Sequence, residues 1–293
     1  MAEAGEGDVY LLSLFFGKEN YEELVAEFMS RLRESRPPSL RVVQTLGYPG
    51  SPILSRLTLD LESALAGHPT LEIDPALAPV DVKLAVRRAH KGDAIRLWLA
   101  GKLAEAGPGG VLAYVDGEGI HPRHVWDAVQ RIPRPRGAVL AMRTSPHWGI
   151  GPDRILAELF ELWLVSRIFG LGRLLPDGQC GLWALSRDAA GELTLTASRF
   201  EVELDLLSEV LRRSIELRYV PVEVSPPDGT AFRLHDHVRK LLFLAKKFRL
   251  SPDSVEDEFR RFSEWAMERA GDLEEVQGVE LPSDLGRAQE VRR

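Results

Sequence analysis

The 293-residue sequence contains a single cysteine, Cys180, and this scarcity limits its chemistry. One thiol cannot form an intramolecular disulfide or supply a cysteine-based zinc cluster, so we expect a protein of the reducing cytoplasm. No His and Asn residues are placed as evident partners for a cysteine nucleophile. The sequence therefore favours Cys180 as a small, buried apolar residue.

Long apolar runs and an excess of positive charge are also missing. No apolar stretch approaches the roughly 18 residues of a membrane span, and the N-terminus lacks a signal-peptide pattern. The formal net charge of -7 disfavours a protein dominated by nucleic-acid contacts. The hydrophobic content of 44% is that of a globular protein, and 293 residues are enough for one large α/β domain with an appendage. We expect the protein to be soluble or at most peripheral at a membrane.

What the sequence does contain is an alternation of strand-like and helix-like segments. In order these are strand, helix, strand, helix, short strand and one or two helices: Val9–Phe16, Tyr21–Leu32, Leu40–Thr45, Ser55–Ala66, Thr70–Ile73 and Val80–Ala106. Such alternation predicts an α/β fold, with a mainly parallel sheet covered by helices on both faces. Ligands of such sheets bind outside the carboxyl ends of the strands.

A central apolar run, Val111–Val115, leads into two carboxylates, Asp116 and Glu118, separated by one glycine. Residues two apart in an extended chain point to the same side, so both side chains could face one divalent ion. Mg2+ and Mn2+ prefer such oxygen ligands and commonly bridge them to substrate phosphates. A solvated acidic turn is the alternative, because acids are common where strands end in turns.

This stretch resembles the Asp-x-Asp region of nucleotide-sugar glycosyltransferases with the GT-A fold, most closely the polyprenyl- and dolichyl-phosphate glycosyltransferases of family two. Their pattern Asp-x-Asp-x-Gln-His-Pro corresponds here to Asp116-Gly-Glu118-Gly-Ile120-His121-Pro122. Ile120 replaces the glutamine and removes one polar ligand. The resemblance implies transfer of a sugar from a nucleoside diphosphate sugar, with Mg2+ or Mn2+ held by Asp116 and Glu118.

Two more segments extend the resemblance on the donor side. The segment from Lys91 to Arg96 is similar to the family's Lys-Gly-x-Ala-x-Arg, which implies diphosphate binding by Lys91, Gly92 and Arg96. On composition alone, an exposed basic helix is equally consistent. Asp177-Gly-Gln179-Cys-Gly181 resembles the family's Asp-x-Gln-Cys-Gly turn, which implies that Gln179 and Gly181 lie beside the sugar. Asp177 is expected to contact the sugar hydroxyls or to cap the turn.

The acceptor side has looser matches. The run Phe200-Glu201-Val-Glu203-Leu resembles Phe-(Asp/Glu)-x-Glu-Leu, and either glutamate is a candidate base if the acceptor is a hydroxyl. Acids at a helix start are also favoured by the helix dipole alone. Arg143 and Arg154 correspond to family arginines near the acceptor phosphate, which they would bind together. Singly, each is more typical of a surface residue.

Two family signatures are absent from the N-terminal part. Where the family has Pro-x-x-Asn-Glu after the first strand and paired aspartates after the second, this chain has Phe16-Gly-Lys-Glu-Asn20 and Val43-Gln-Thr45. The departures leave open a degenerate, non-catalytic subunit used for binding or assembly. Nucleotidyl transfer is a third hypothesis, disfavoured by the lack of a glycine-rich basic first loop.

The resemblance predicts a GT-A-like domain over residues 1–226, followed by a helical extension over 227–272 and a disordered acidic tail over 273–293. In the extension, Leu234–Phe248 combines basic and apolar residues. This helix either packs its apolar face on the domain or lies on the anionic inner face of the cell membrane, where a polyprenyl phosphate acceptor would be found. Oligomeric state is not predicted.

Overall fold

The computed structural model describes residues 9–14, 27, 30–31, 42–47, 91–116, 119–144, 152–224 and 234–269. Several predictions concern segments outside these residues, namely Ser55–Ala66, Thr70–Ile73, most of Tyr21–Leu32 and the tail over 273–293. Glu118 also lies outside the described residues, so the structure gives no position for the second predicted metal ligand.

Within the described residues, one sheet of six strands forms the centre of the molecule in the order β2-β1-β3-β5-β4-β6. The strands are β1 Val9–Leu14, β2 Val42–Gly47, β3 Val111–Asp116, β4 Gly137–Arg143, β5 Leu182–Ser186 and β6 Glu216–Val222. Neighbours are parallel except at β5, which runs antiparallel to β3 and β4. The carboxyl ends of β3, β4 and β6 therefore share one edge, called here the site edge, with the start of β5.

Helices cover both faces of this sheet. They are α1 Lys91–Glu105, α2 Arg123–Gln130, α3 Pro152–Ile168, α4 Arg187–Glu192, α5 Val202–Arg212, α6 Leu234–Phe248 and α7 Pro252–Glu268. Successive strand residues point to opposite faces, and β5 is buried at all five positions, so neither of its faces is open to solvent. The expected mainly parallel α/β architecture is confirmed. The reversed strand β5 and the short helix α4 were not predicted.

The C-terminal helices α6 and α7 pack on α3. Trp163 of α3 lies 5.3 Å, centroid to centroid, from Trp265 of α7, and its indole Nε1 donates to Glu258 at 3.0 Å. Arg167 pairs with the same carboxylate at 3.1 Å, so Glu258 is buried with its charge compensated. Helix α7 starts with Pro252 after Ser251, whose hydroxyl accepts from Ser254 N. None of the described helices is long and apolar enough to cross a membrane.

Candidate functional site

Asp116 is the last residue of β3. It lies directly against Gly181, the residue that precedes the antiparallel strand β5. Its backbone N–H donates to the carbonyl oxygen of Gly181 at 2.6 Å. A Cβ atom at position 181 would be 2.1 Å from Asp116 Oδ2 and 2.4 Å from its Cγ. Because no carbon fits at these separations, position 181 requires glycine while the carboxylate keeps this place.

Lys91 of α1 connects Asp116 to Glu203 of α5. Its ammonium lies 2.8 Å from Asp116 Oδ2 and also forms an ion pair with Glu203 Oε1. Lys91 and Glu203 are buried, and Asp116 is the more open member at 29% side-chain exposure. Burial alone would lower the pKa of Lys91, but the two carboxylates outweigh it and raise that pKa above its ordinary value. The ammonium is therefore charged at neutral pH.

Asp116 has one oxygen available for a metal ion. Its Oδ1 is buried and accepts no hydrogen bond from any group that the structure describes. No cluster of three or more His, Cys, Asp or Glu side chains suited to a metal occurs among the described residues. One or two carboxylates suffice for an ion that also binds substrate phosphates, so the described part of the site fits Mg2+ or Mn2+.

A second charged cluster lies beside the first at the site edge. Asp177 is fully buried and accepts from the Nε of Arg143 at 2.8 Å, from its Nη2 at 2.8 Å and from its backbone N–H at 3.1 Å. Arg143 Nη2 also donates to Glu158 at 2.8 Å, and Glu158 accepts from Arg154 Nε at 2.9 Å. Burial would raise the pKa of Glu158, but nearby cations, Arg143 foremost, lower it to about 2.

This cluster changes the roles expected of its members. We expected Arg143 to bind an acceptor phosphate, but its guanidinium is buried and bonded to two carboxylates. Asp177 was expected at the sugar, yet it also accepts from the backbone N–H groups of Gln179 and Cys180 at 2.9 and 3.2 Å. Both residues therefore shape the turn over residues 177–181 from within. Arg154 is partly exposed near the start of α3, and its expected contact with an acceptor phosphate stays a prediction.

Other predicted residues take less central positions. Arg96 pairs with Asp93 on the surface of α1, and a Cβ on Gly92 would meet the backbone of residues 197–198 at 2.5 Å. Glu201 precedes α5 and has one buried oxygen without a hydrogen bond among the described groups. Cys180 is buried, and burial raises the pKa of its thiol, as expected for an inert apolar residue.

The sequence analysis missed the two acids inside α3 and their partner on α6. Glu158 and Glu161 are buried in a stretch of α3 that is otherwise apolar from Leu156 to Val165. Glutamates three residues apart on the apolar face were the available signal, since a buried carboxylate requires a cation or a donor. Lys240 of α6, which lies 3.7 Å from Glu161, supplies that charge.

The sheet order, the reversed strand beside the acid-bearing strand and the helices on both faces define the GT-A class of α/β fold. Glucosyl-3-phosphoglycerate synthase from Mycobacterium tuberculosis, solved with Mn2+, UDP and glucosyl-3-phosphoglycerate, superposes with a TM-score of 0.56 at 19% identity. That match covers 82% of this chain and 79% of the synthase.

Mannosyl-3-phosphoglycerate synthase from Rubrobacter xylanophilus has a TM-score of 0.50 at 17% identity, over 96% of this chain and 80% of that one. No protein-family model matches the sequence, and no curated protein matches it. At these identities the likeness establishes the fold, and the activity has to be argued from the chemistry of the site.

Replacing Gly181 by alanine tests the contact with Asp116. We expect the added methyl group to displace the carboxylate and to weaken the metal-dependent nucleotide binding that the family resemblance implies by about 10- to 100-fold, the usual loss when a residue that orients a metal ligand is changed. Thermal unfolding should occur at a somewhat lower temperature, since the methyl group would also lie 2.8 Å from Asp116 Cβ and rotation of the carboxylate does not relieve that contact. Calorimetric titration and a melting curve measure the two quantities, and unchanged binding in Gly181→Ala would contradict the assigned geometry.

Proposed function

We propose that the protein is a glycosyltransferase that takes a sugar from a nucleoside diphosphate sugar. The observation that carries the proposal is Asp116, which has an unbonded buried oxygen and a neighbouring ammonium at the site edge. A carboxylate for a divalent ion and a lysine for a phosphate are the groups that a diphosphate requires. The Mn2+ and UDP bound by the Mycobacterium tuberculosis synthase on the same fold support this choice of donor.

The chain's own residues divide the work in this proposal. Asp116, together with Glu118, would hold Mg2+ or Mn2+, which would supply positive charge to offset the leaving nucleoside diphosphate. Lys91 is placed to exchange Asp116 Oδ2 for a diphosphate oxygen, which keeps its charge compensated throughout. Gly181 leaves room for the carboxylate, and the Arg143–Asp177 pair fixes the turn on which Gly181 lies.

The acceptor in this proposal carries a phosphate. The family resemblance points to a polyprenyl phosphate, and the structural neighbours are named for phosphoglycerate products. Arg154 is the proposed phosphate contact. If the sugar is transferred to a phosphate oxygen, no strong base is needed, because that group is already ionised. If it is transferred to a hydroxyl, Glu203 is the proposed base, and it would release Lys91 before accepting the proton.

A thermal-shift panel separates this proposal from a non-catalytic role for the same fold. Nucleoside diphosphate sugars with uracil, guanine, adenine and thymine bases are added with and without Mn2+. We expect at least one donor to raise the melting temperature only with the metal, because a ligand of the native state stabilises it. Asp116→Asn should fold with a slightly lower melting temperature, since Lys91 keeps Glu203, and should lose the metal-dependent shift.

Absence of any shift at millimolar donor would favour the non-catalytic alternative. A shift that survives in well-folded Asp116→Asn would instead contradict the role of Asp116. Asp257→Asn, which removes an exposed carboxylate of α7, is the matched control and should keep the full shift.

The exposed side of α6 is the feature that favours a lipid-borne acceptor. The outer face of α6 consists of its exposed side chains, His235, Val238, Arg239, Leu242 and Lys246, and Arg249 is exposed just beyond the end of the helix. Leu242 is 63% exposed and Val238 is 51% exposed, so apolar groups lie among the cations. Lys240 and Lys247, which point the other way, pair with carboxylates of the domain. The helix therefore packs on the domain and still presents a basic, apolar face suited to anionic headgroups.

Vesicle co-sedimentation tests this surface. We expect the protein to bind anionic vesicles more than neutral ones, with binding that fades as salt screens the charges. Changing Arg239, Lys246 and Arg249 to Gln should weaken it, whereas the same change at exposed Arg131, Arg260 and Arg261 should not. Equal sedimentation with both vesicle types, or no sedimentation with either, would contradict membrane binding through α6 and favour a soluble phosphorylated acceptor.

A further inference from the structure

The side chain of Gln179 joins the site to the C-terminal helices. Its Oε1 accepts a hydrogen bond from Lys240 of α6, and its Nε2 donates to Glu161 of α3. Lys240 also lies 3.7 Å from Glu161, so the three side chains close a ring, called here the Gln179 latch. Glu161 is fully buried and Lys240 is 3% exposed, whereas Gln179 is half-buried, so the ring closes at the border of the buried region.

The latch requires an amide at its centre. Lysine has only donors and an ionised glutamate has only acceptors, so the partners fix which end of the Gln179 amide faces each of them. A carboxylate at position 179 would repel Glu161, and an apolar side chain would serve neither neighbour. The same two charges would remain paired with each other if Gln179 were apolar, and His237 would still contact Glu161 at 2.8 Å.

The backbone of Gln179 carries this constraint to Asp116. The Gln179 N–H donates to Asp177 at 2.9 Å, and two residues later the carbonyl oxygen of Gly181 accepts from Asp116 N–H. The carboxylate of Asp116 also rests on the Cα of Gly181. A turn held at one end by α6 and in contact at the other with Asp116 cannot shift without moving that carboxylate.

We propose that Lys240 and Gln179 are positioning residues for the nucleotide site, so that α6 is a working part of the site. The Gln179 latch holds the turn over residues 177–181 in the position that lets the Asp116 carboxylate face the diphosphate. This inference rests on the proposed function, because the ligand that reads the position of Asp116 is the metal-bound diphosphate. A positioning role differs from a purely structural one in a measurable way. A substitution that leaves the protein normally folded should still lower its affinity for the ligand.

Titration calorimetry on the full chain tests the latch, with UDP, GDP, ADP and dTDP as probes in the presence of Mn2+. The probe that binds the wild type most tightly is then titrated into Gln179→Met, Lys240→Met and the double variant. We expect each single change to raise the dissociation constant about tenfold and the double change to add little more, since both break one ring. Lys246→Met, an exposed lysine on the same helix, should bind as the wild type does.

Stability measurements keep the outcomes separate. Lys240→Met leaves Glu161 with less compensation and should unfold at lower temperature, whereas Gln179→Met keeps every charge paired and should fold normally. Wild-type affinity in folded Gln179→Met would overturn the inference, as would losses that add fully in the double variant. Failure of all four probes to bind the wild type would overturn the proposed function, and this inference with it.

Discussion

The contact between the Asp116 carboxylate and Gly181 is the constraint on which the candidate site depends. An acid at the end of a parallel strand is unremarkable by itself, since it would normally be solvated. Here the reversed strand β5 brings position 181 against it, and the absence of a side chain at that position leaves space for the carboxylate. The backbone hydrogen bond from the Asp116 N–H to the Gly181 carbonyl oxygen fixes the distance between these two segments of the chain. A small change on either chain would therefore move the acid.

Charge balance explains how so many ionised groups can be buried around this contact. Lys91 forms ion pairs with Asp116 and Glu203, and Arg143 forms them with Asp177 and Glu158. Lys240 forms an ion pair with Glu161. Each buried cation meets at least one carboxylate within 4 Å in the described structure, which avoids the cost of isolated charges. Of these five carboxylates, Asp116 is the one that combines partial exposure with an oxygen that accepts no hydrogen bond from the described residues. It is accordingly the group that a ligand can address without breaking the rest of the network.

Much of this fold follows from local patterns, and much of the site does not. Strands β1 and β2 overlap the predicted strand segments Val9–Phe16 and Leu40–Thr45, and helix α6 coincides with the predicted segment Leu234–Phe248, so these three elements were predicted. Strand β5 was missed because Leu182–Ser186 directly follows a glycine-containing turn and is only five residues long. The pairing of Arg143 with Asp177 joins residues 34 apart, and that of Glu161 with Lys240 joins residues further apart still. The periodicity of a sequence carries no information about such distant partners. The burial of Arg143, which was expected to face the acceptor, could therefore not be predicted.

The central claim is that the Asp116 edge is a metal-diphosphate site. Its most direct test is a crystal structure of the protein soaked with Mn2+ and the nucleoside diphosphate that binds it best, with data collected at a wavelength that reveals manganese. The account predicts an anomalous peak in contact with Asp116 and with the diphosphate, with Lys91 moved from Asp116 Oδ2 toward a phosphate oxygen. A nucleotide bound elsewhere, or at this edge with Lys91 still on Asp116 and no manganese beside it, would contradict the account.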